Sequence, residues 1–453
     1  MSGAAAQAER PGRAFFLALA ALCLAYGGWL LAFWPGVLGP DSYAILLEVQ
    51  TQGGFQSGKP SFWYYFVHLF YGSTRRVEAP IAFQLLFAAL VFARMLSWCW
   101  RQGFWKITLF CAVFICFAPH IMFFTGTLYP DALFSIAAAG LLFELWLAAR
   151  AGRLAPFQLG MVFITLPFAL FCRQNGFVFL ASLALASLAL RWPDRLRLWG
   201  MAVFWSALVL LGGRLHATES HSVLFPLAAF ETVNFLQPRP MNLPRTEPRV
   251  SEAAIEALTR RQDLQNVIRH YDRDYWDPLV YQPGGPELMR IPPEDKAVVV
   301  REFFRYNLWR NLPAFLGSRV NIFMTSLLAQ GGILPFDYTQ QVLAQVQTKS
   351  QMRRFHLDRL EAVLLKLHNA SLACRWLLWT PALGILLLLW GLPGALRQRR
   401  VAELLVLLPL LAQLGGIFVF SIAGEYRYLL PFAVAPVLLL PMLQSRRGAA
   451  SYS

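Results

Sequence analysis

Asp41 follows Gly39-Pro40, Asp131 follows Tyr129-Pro130, Arg173 and Asn175 sit in FCRQNGF, and Glu425 and Arg427 sit in AGEYRYLLP. Glu48 and Lys59 lie in ILLEVQTQGGFQSGKPSF, a few residues after Asp41. Carboxylates can deprotonate an acceptor group. Guanidinium groups match phosphate and carboxylate oxygens two at a time. Asp41, Asp131, Arg173, Asn175, Glu425 and Arg427 each lie beside a long apolar run, and ionisable groups at membrane depth are costly and usually face a cavity or a partner. Four separate segments delivering acids and arginines to one level point to a single hydrated pocket. Plainer roles stand beside this one. Asp41 and Asp131, each after a proline, suit ordinary helix starts, and Arg427 suits an interfacial anchor. Arg173 is harder to explain that way, because its link between two apolar runs is almost absent.

The elements that must position these groups are membrane helices. The chain has 453 residues, 57% of them apolar and 14% charged, against about 25% charged in a soluble domain. Ten apolar runs suit membrane spans: 15–34, 80–98, 107–124, 131–148, 156–172, 175–190, 198–213, 372–391, 401–421 and 427–443. The first is too long for a signal-peptide core and reads as an uncleaved span. The pattern predicts an all-α polytopic transmembrane protein of about 10–12 spans. Juxtamembrane helices are expected in the first outward loop, 35–79, where Gly53-Gly54 stop one helix and the aromatic run 62–71 is too short to cross. In the first of these helices Ile45, Leu46 and Val49 form an apolar face, from which Glu48 and Gln52 point away. The expected organisation is an N-terminal membrane module, 1–213, an outward segment, 214–371, and a C-terminal membrane module, 372–453.

Charge sets the expected orientation. Fourteen Lys and Arg, among them Arg10, Arg101, Arg150, Arg195, Arg397 and Arg447, fall in links on one side, against Glu9, Asp194 and Glu403. Such an excess marks the cytoplasmic side, which also receives both termini. The eight residues introduced above then face outward. The net charge of +15 is explained by this topology and by anionic headgroups, so no nucleic-acid partner is expected. The 312–330 run is apolar, but Arg319 and Asn321 sit inside it; it reads as an interfacial or re-entrant helix, or as half of a hairpin. Glu144 reads as a snorkelling or paired residue. The stretch HYDRDYWDPLVYQPGG, 270–285, is either a binding loop or a solvated one. The six cysteines lie in or beside apolar runs without CxxC or Cys/His spacing, so they read as small apolar residues and no metal-ligand set is expected.

On these residues the chain resembles the GT-C superfamily of integral-membrane glycosyltransferases, nearest the lipid A aminoarabinose transferases and protein O-mannosyltransferases. The resemblance rests on Asp41 followed by a helix at 42–52, the turn Gly58-Lys59-Pro60 into 61–71, Asp131 in YPDALF, and Arg427-Tyr428-Leu429-Leu430-Pro431. It covers the order of elements over 1–200 and 372–443. The chain departs from the family in having no adjacent acid pair near Asp41 and in carrying Ser61 after Pro60. The resemblance implies a bacterial cytoplasmic-membrane enzyme with its active site on the outer face. Its donor would be a polyprenyl-phosphate-linked sugar and its acceptor a glycan, lipid or protein; whether a divalent cation takes part is left open. Asp41 would serve as catalytic base or anchoring carboxylate. Arg173 and Arg427, then Lys59, would bind the donor phosphate. Asp131, Asn175, Glu425 and Glu48 would contact substrate. The alternatives are a transporter or flippase of an envelope precursor, and a non-catalytic scaffold. Against transport, no internal repeat relates the halves and the charges gather at one surface rather than at the midplane.

Overall fold

A computed structural model describes residues 11–216, 224–238 and 250–450. Glu9, Arg10 and the Arg447 side chain, counted above among the link charges, lie outside the described residues. The chain is an all-α polytopic membrane protein: the described residues are helical with no strand, and two isolated β-bridges join loops. Among the described residues, seven helices are long and apolar enough to cross a membrane, Arg13–Ala32, Glu78–Arg101, Pro130–Ala151, Trp192–His216, Arg375–Arg397, Val401–Phe420 and Tyr426–Arg446. Trp105–Phe117 and Pro119–Thr125 together are long and apolar enough for an eighth, as a broken span or a re-entrant loop, and meet at a 54° bend. The bend falls where Pro119 removes a backbone donor.

This corrects the expected span count. The runs 156–172 and 175–190 do form helices, but short ones, Pro156–Phe171 and Gln174–Ala189. Sixteen α-helical residues reach about 24 Å, short of a hydrocarbon core of about 30 Å. The second of the pair also opens with a 3₁₀ stretch, Gln174–Phe179, before Leu180–Ala189 turns α-helical.

The chain divides into two compact units. The first comprises Met1–Glu219, Leu334–Gln413 and Leu429–Ser453; the second comprises Ser220–Ile333 and Leu414–Tyr428. The expected 214–371 segment is thus not one piece. Residues 334–371 belong with the membrane helices because hydrogen bonds at their backbone and hydroxyl groups tie them there. Leu38 N–H donates to Thr339 Oγ1 at 2.9 Å and Val77 N–H to Ser350 Oγ at 2.9 Å. Lys349 N–H donates to the Arg75 carbonyl at 2.8 Å, and Arg353 N–H to that of Trp34 at 3.0 Å.

In the first unit, Pro130–Ala151 is the central helix. Its apolar window is 89% buried, against 11% for the peripheral Trp192–His216. It packs against Glu78–Arg101, Pro156–Phe171 and the last helix. Small residues allow this: a Cβ at Gly140 would stand 2.8 Å from Val91, the close approach that membrane helix pairs favour. Glu144 is paired, its two carboxylate oxygens receiving Arg94 Nε at 2.7 Å and Nη2 at 3.1 Å.

The second unit has its own apolar core around Phe230, Val233, Trp276, Val299 and Phe303. Inside it lies Arg319, on the Leu312–Leu327 helix and fully buried. Its guanidinium bonds the Glu231 carboxylate and the Ser421 carbonyl and lies over the rings of Phe230 and Phe315. Arg319 therefore stands in an apolar run because that helix packs on Leu224–Phe235, which brings the countercharge. The 270–275 stretch is also woven into this unit: Asn321 Nδ2 donates to Asp274 Oδ1 at 2.6 Å, and Gly424 N–H donates to the Asp274 carbonyl at 2.7 Å.

Removing one member of a buried pair strands the other. Arg319→Leu and Glu231→Leu should each lower stability by about 3–5 kcal/mol, and the double variant should lose clearly less than the two losses added. Thermal unfolding of purified protein in lipid nanodiscs measures all three; strict additivity would mean the two groups do not interact.

Candidate functional site

The site of interest is organised by one backbone pairing in the first unit. Val37 and Thr127 form a parallel β-bridge, with Val37 N–H donating to the Gly126 carbonyl at 2.9 Å and Leu128 N–H to the Val37 carbonyl at 3.1 Å. Each bridge residue is followed by the same string, Leu-X-Pro-Asp: Leu38-Gly39-Pro40-Asp41 and Leu128-Tyr129-Pro130-Asp131. The bridge sets the two strings side by side and in register. Ser42 Oγ adds a cross-link, donating to the Leu128 carbonyl at 3.0 Å while accepting from Gly39 N–H at 3.1 Å. Gln84, from the second span, donates to the Thr125 and Thr127 carbonyls at 3.1 and 2.8 Å.

Two glycines permit the approach. A Cβ at Gly39 would fall 2.1 Å from the Tyr129 hydroxyl, and one at Gly126 would fall 1.9 Å from the Trp29 ring. Each string then opens a helix, Pro40–Gln50 and Pro130–Ala151, with proline at the first position and the acid in the first turn. Proline suits that position because the missing N–H would have had no helical partner. The acid suits it because the helix start carries partial positive charge.

Each acid has a cation. Lys59 Nζ stands 2.7 Å from Asp41 Oδ2, with both side chains 23% exposed. Arg173 bonds the carboxylate of Asp131, which is 2% exposed while the arginine side chain is 24% exposed. Arg173 reaches it because the chain reverses tightly after Pro156–Phe171: Gly176 N–H donates to the Arg173 carbonyl at 3.0 Å. A Cβ at Gly176 would stand 2.5 Å from the carbonyls of Ala169 and Leu170. Asn175 lies in the same turn, and its buried Oδ1 has no hydrogen-bond partner among the described residues. The result is two neutral pairs, each with one partly exposed cation, around two adjacent helix starts.

Glu48 is elsewhere, and its expected place on the polar face of its helix is corrected. It is 1% exposed. Oε1 meets His216 Nε2 at 2.8 Å, and Oε2 accepts from Ser57 N–H at 3.1 Å and from the Ser57 hydroxyl. His216 stacks on Tyr64 with ring centroids 3.6 Å apart. The helix Pro40–Gln50 is covered on more than one side, so its apolar stripe alone understated burial. Glu48 clasps the turn at 51–58 to the end of Trp192–His216 and touches no open space. His216 and Ser57 were not singled out by the sequence, because their spacing from Glu48 carries no motif. The duplicated Leu-X-Pro-Asp string was readable and is the signal that links Asp41 to Asp131.

Glu425 and Arg427 pair with each other in the second unit. Gly332, at φ +79, packs over Glu425, and Tyr426 N–H donates to the Gly331 carbonyl at 3.1 Å. Burial first, then the charge of Glu425, pushes the nearby Tyr275 hydroxyl up to about 12. Among the described residues no group of three or more His, Cys, Asp or Glu is placed to hold a metal ion. No family model, curated protein or solved structure matches the chain.

Glu48→Ala should leave the His216 ring nitrogen and the Ser57 N–H and hydroxyl without their shared partner, at a cost of roughly 1–3 kcal/mol. Limited proteolysis of the membrane-embedded protein should show faster cleavage in 51–58. Unchanged cleavage there would show that Glu48 does not hold the turn.

Proposed function

We propose that this chain is a GT-C-type glycosyltransferase that moves a sugar from a polyprenyl-phosphate donor to an acceptor at the outer face of a bacterial cytoplasmic membrane. The reading is carried by the in-register pair of Leu-X-Pro-Asp strings, whose carboxylates are each neutralised by a partly exposed cation. A lipid phosphate arriving from the bilayer offers Lys59 and Arg173 a stronger, multi-oxygen anion than a single carboxylate does. When the phosphate takes Lys59, Asp41 is released to accept a proton.

In this reading the acceptor hydroxyl or amine gives its proton to Asp41 as its lone pair forms a bond to the anomeric carbon. The bond from that carbon to the phosphate oxygen breaks, and the electron pair leaves on polyprenyl phosphate. Lys59 and Arg173 balance the charge that develops there. Asp131 orients Arg173, and Asn175, whose buried Oδ1 has no partner among the described residues, is the candidate to accept from a sugar hydroxyl. Glu48 takes no part in substrate contact.

Asp41→Asn should lower sugar transfer from a radiolabelled polyprenyl-phosphate sugar in membrane vesicles by roughly 10²–10⁴, with the protein's melting temperature unchanged. Full transfer by the variant would overturn the role of Asp41. Lipid-linked sugar appearing across the bilayer without transfer would favour a flippase.

A further inference from the structure

The helix Asp358–Ala373 carries an apolar stripe that the fold does not cover. At about 100° per residue, this helix divides into three faces. One packs on the protein: Glu361 is buried and receives Arg353, with Nη2 at 2.7 Å from Oε1. On the same face His368 lies against the rings of Phe123, Phe336 and Trp379. Burial holds the His368 ring down to about 4, so it packs there as a neutral ring. The second face is polar and exposed, with Asp358, Arg359, Ala362, Lys366 and Asn369. The third is apolar and exposed: Leu360 at 41%, Val363 at 56% and Leu367 at 62%.

The chemistry of what covers this third face follows from its borders. Arg359 and Lys366 lie along the edge between the apolar and polar faces, where long basic side chains can send their charge to a headgroup while their stems cover acyl chain. Between Lys349 and Arg375 the chain has six Lys and Arg and only two acids, so the surface favours an anionic partner. The helix ends at Cys374, and the candidate span Arg375–Arg397 begins at the next residue. Its stripe runs on into the exposed Trp376, Leu377 and Leu378 at the start of that span. The junction between them is held by Trp379, whose indole N–H donates to Ser371 Oγ at 3.0 Å. A helix that stops where a span starts, with an apolar underside continuous with it, has its C-terminal end at the membrane surface.

We propose that Asp358–Ala373 lies in the headgroup layer, with Leu360, Val363 and Leu367 in the acyl boundary and Arg359 and Lys366 bound to anionic phospholipid phosphates. The contact is linked to the acid loop through backbone: Arg353 holds both Glu361 of this helix and, by its N–H, the carbonyl of Trp34. Lipid docking therefore steadies the loop that begins at Trp34 and leads to Asp41. The surface argument does not depend on the glycosyltransferase reading.

The test uses the full chain, depleted of native cysteines and reconstituted in vesicles of phosphatidylcholine with brominated acyl chains, with or without phosphatidylglycerol. An environment-sensitive fluorophore is attached at Leu360→Cys or at Asn369→Cys. The expected result is strong quenching at 360, little at 369, and stronger quenching at 360 when phosphatidylglycerol is present. Arg359→Glu with Lys366→Glu should remove that phosphatidylglycerol-dependent increase while leaving the circular dichroism spectrum unchanged. Equal quenching at the two positions would overturn the proposed orientation. An unquenched label at 360, together with intermolecular disulfides formed on oxidation of the unlabelled Leu360→Cys protein, would assign the stripe to a second copy of the chain. Quenching at 360 that ignores phosphatidylglycerol would remove the anionic headgroup from the proposal.

Discussion

The parallel bridge between Val37 and Thr127 is the contact on which the site depends. It consists of two backbone hydrogen bonds, yet it joins links that lie ninety residues apart in sequence. Because the bridge is parallel, identical strings on its two sides stay in register, and both prolines start helices at the same level. Each helix then presents an acid where its own backbone favours one. Gly39 and Gly126 are required because another side chain at either position would meet an aromatic residue. Gln84 spans the second loop, donating to its Thr125 and Thr127 carbonyls.

The charges of the molecule fall into two kinds. Arg94 with Glu144, and Arg319 with Glu231, are sealed in and bonded on several sides. Removing such a charge from water is costly, and a buried pair holds its geometry because either partner alone would be far worse. These pairs set helix registry. Asp41 with Lys59, and Asp131 with Arg173, are built differently. Each contains a cation with roughly a quarter of its side chain open to solvent, so a second anion can reach it without unfolding anything. A site at rest with no net charge, and with cations that can be shared, is suited to receive a phosphate carried by lipid.

Much of this was legible in the residues, for reasons that can be named. Long apolar runs and basic links identified a helical membrane protein, because a bilayer imposes length and excludes charge. The unusual acids and arginines stood out against that background. What could not be read was pairing at a distance. Nothing in the spacing of Glu48 and His216, or of Glu231 and Arg319, announces contact, because helix packing brings them together rather than local geometry. Glu48 was therefore assigned to an open surface when it is buried. The expected outward segment was drawn as one block because its polarity is continuous. Its last quarter follows the membrane helices instead, through bonds at Thr339, Lys349, Ser350 and Arg353 that sequence patterning does not reveal.

The proposed site requires Asp41 and a lipid phosphate to compete for Lys59. Native mass spectrometry of the protein titrated with a polyprenyl monophosphate measures this directly. If they compete, Asp41→Asn binds the lipid more tightly than the unaltered protein, because the neutral amide holds the ammonium group less well, and Lys59→Met binds it more weakly. If Asp41→Asn leaves the affinity unchanged or lowers it, the carboxylate and the phosphate do not share that cation, and the site does not work in this way.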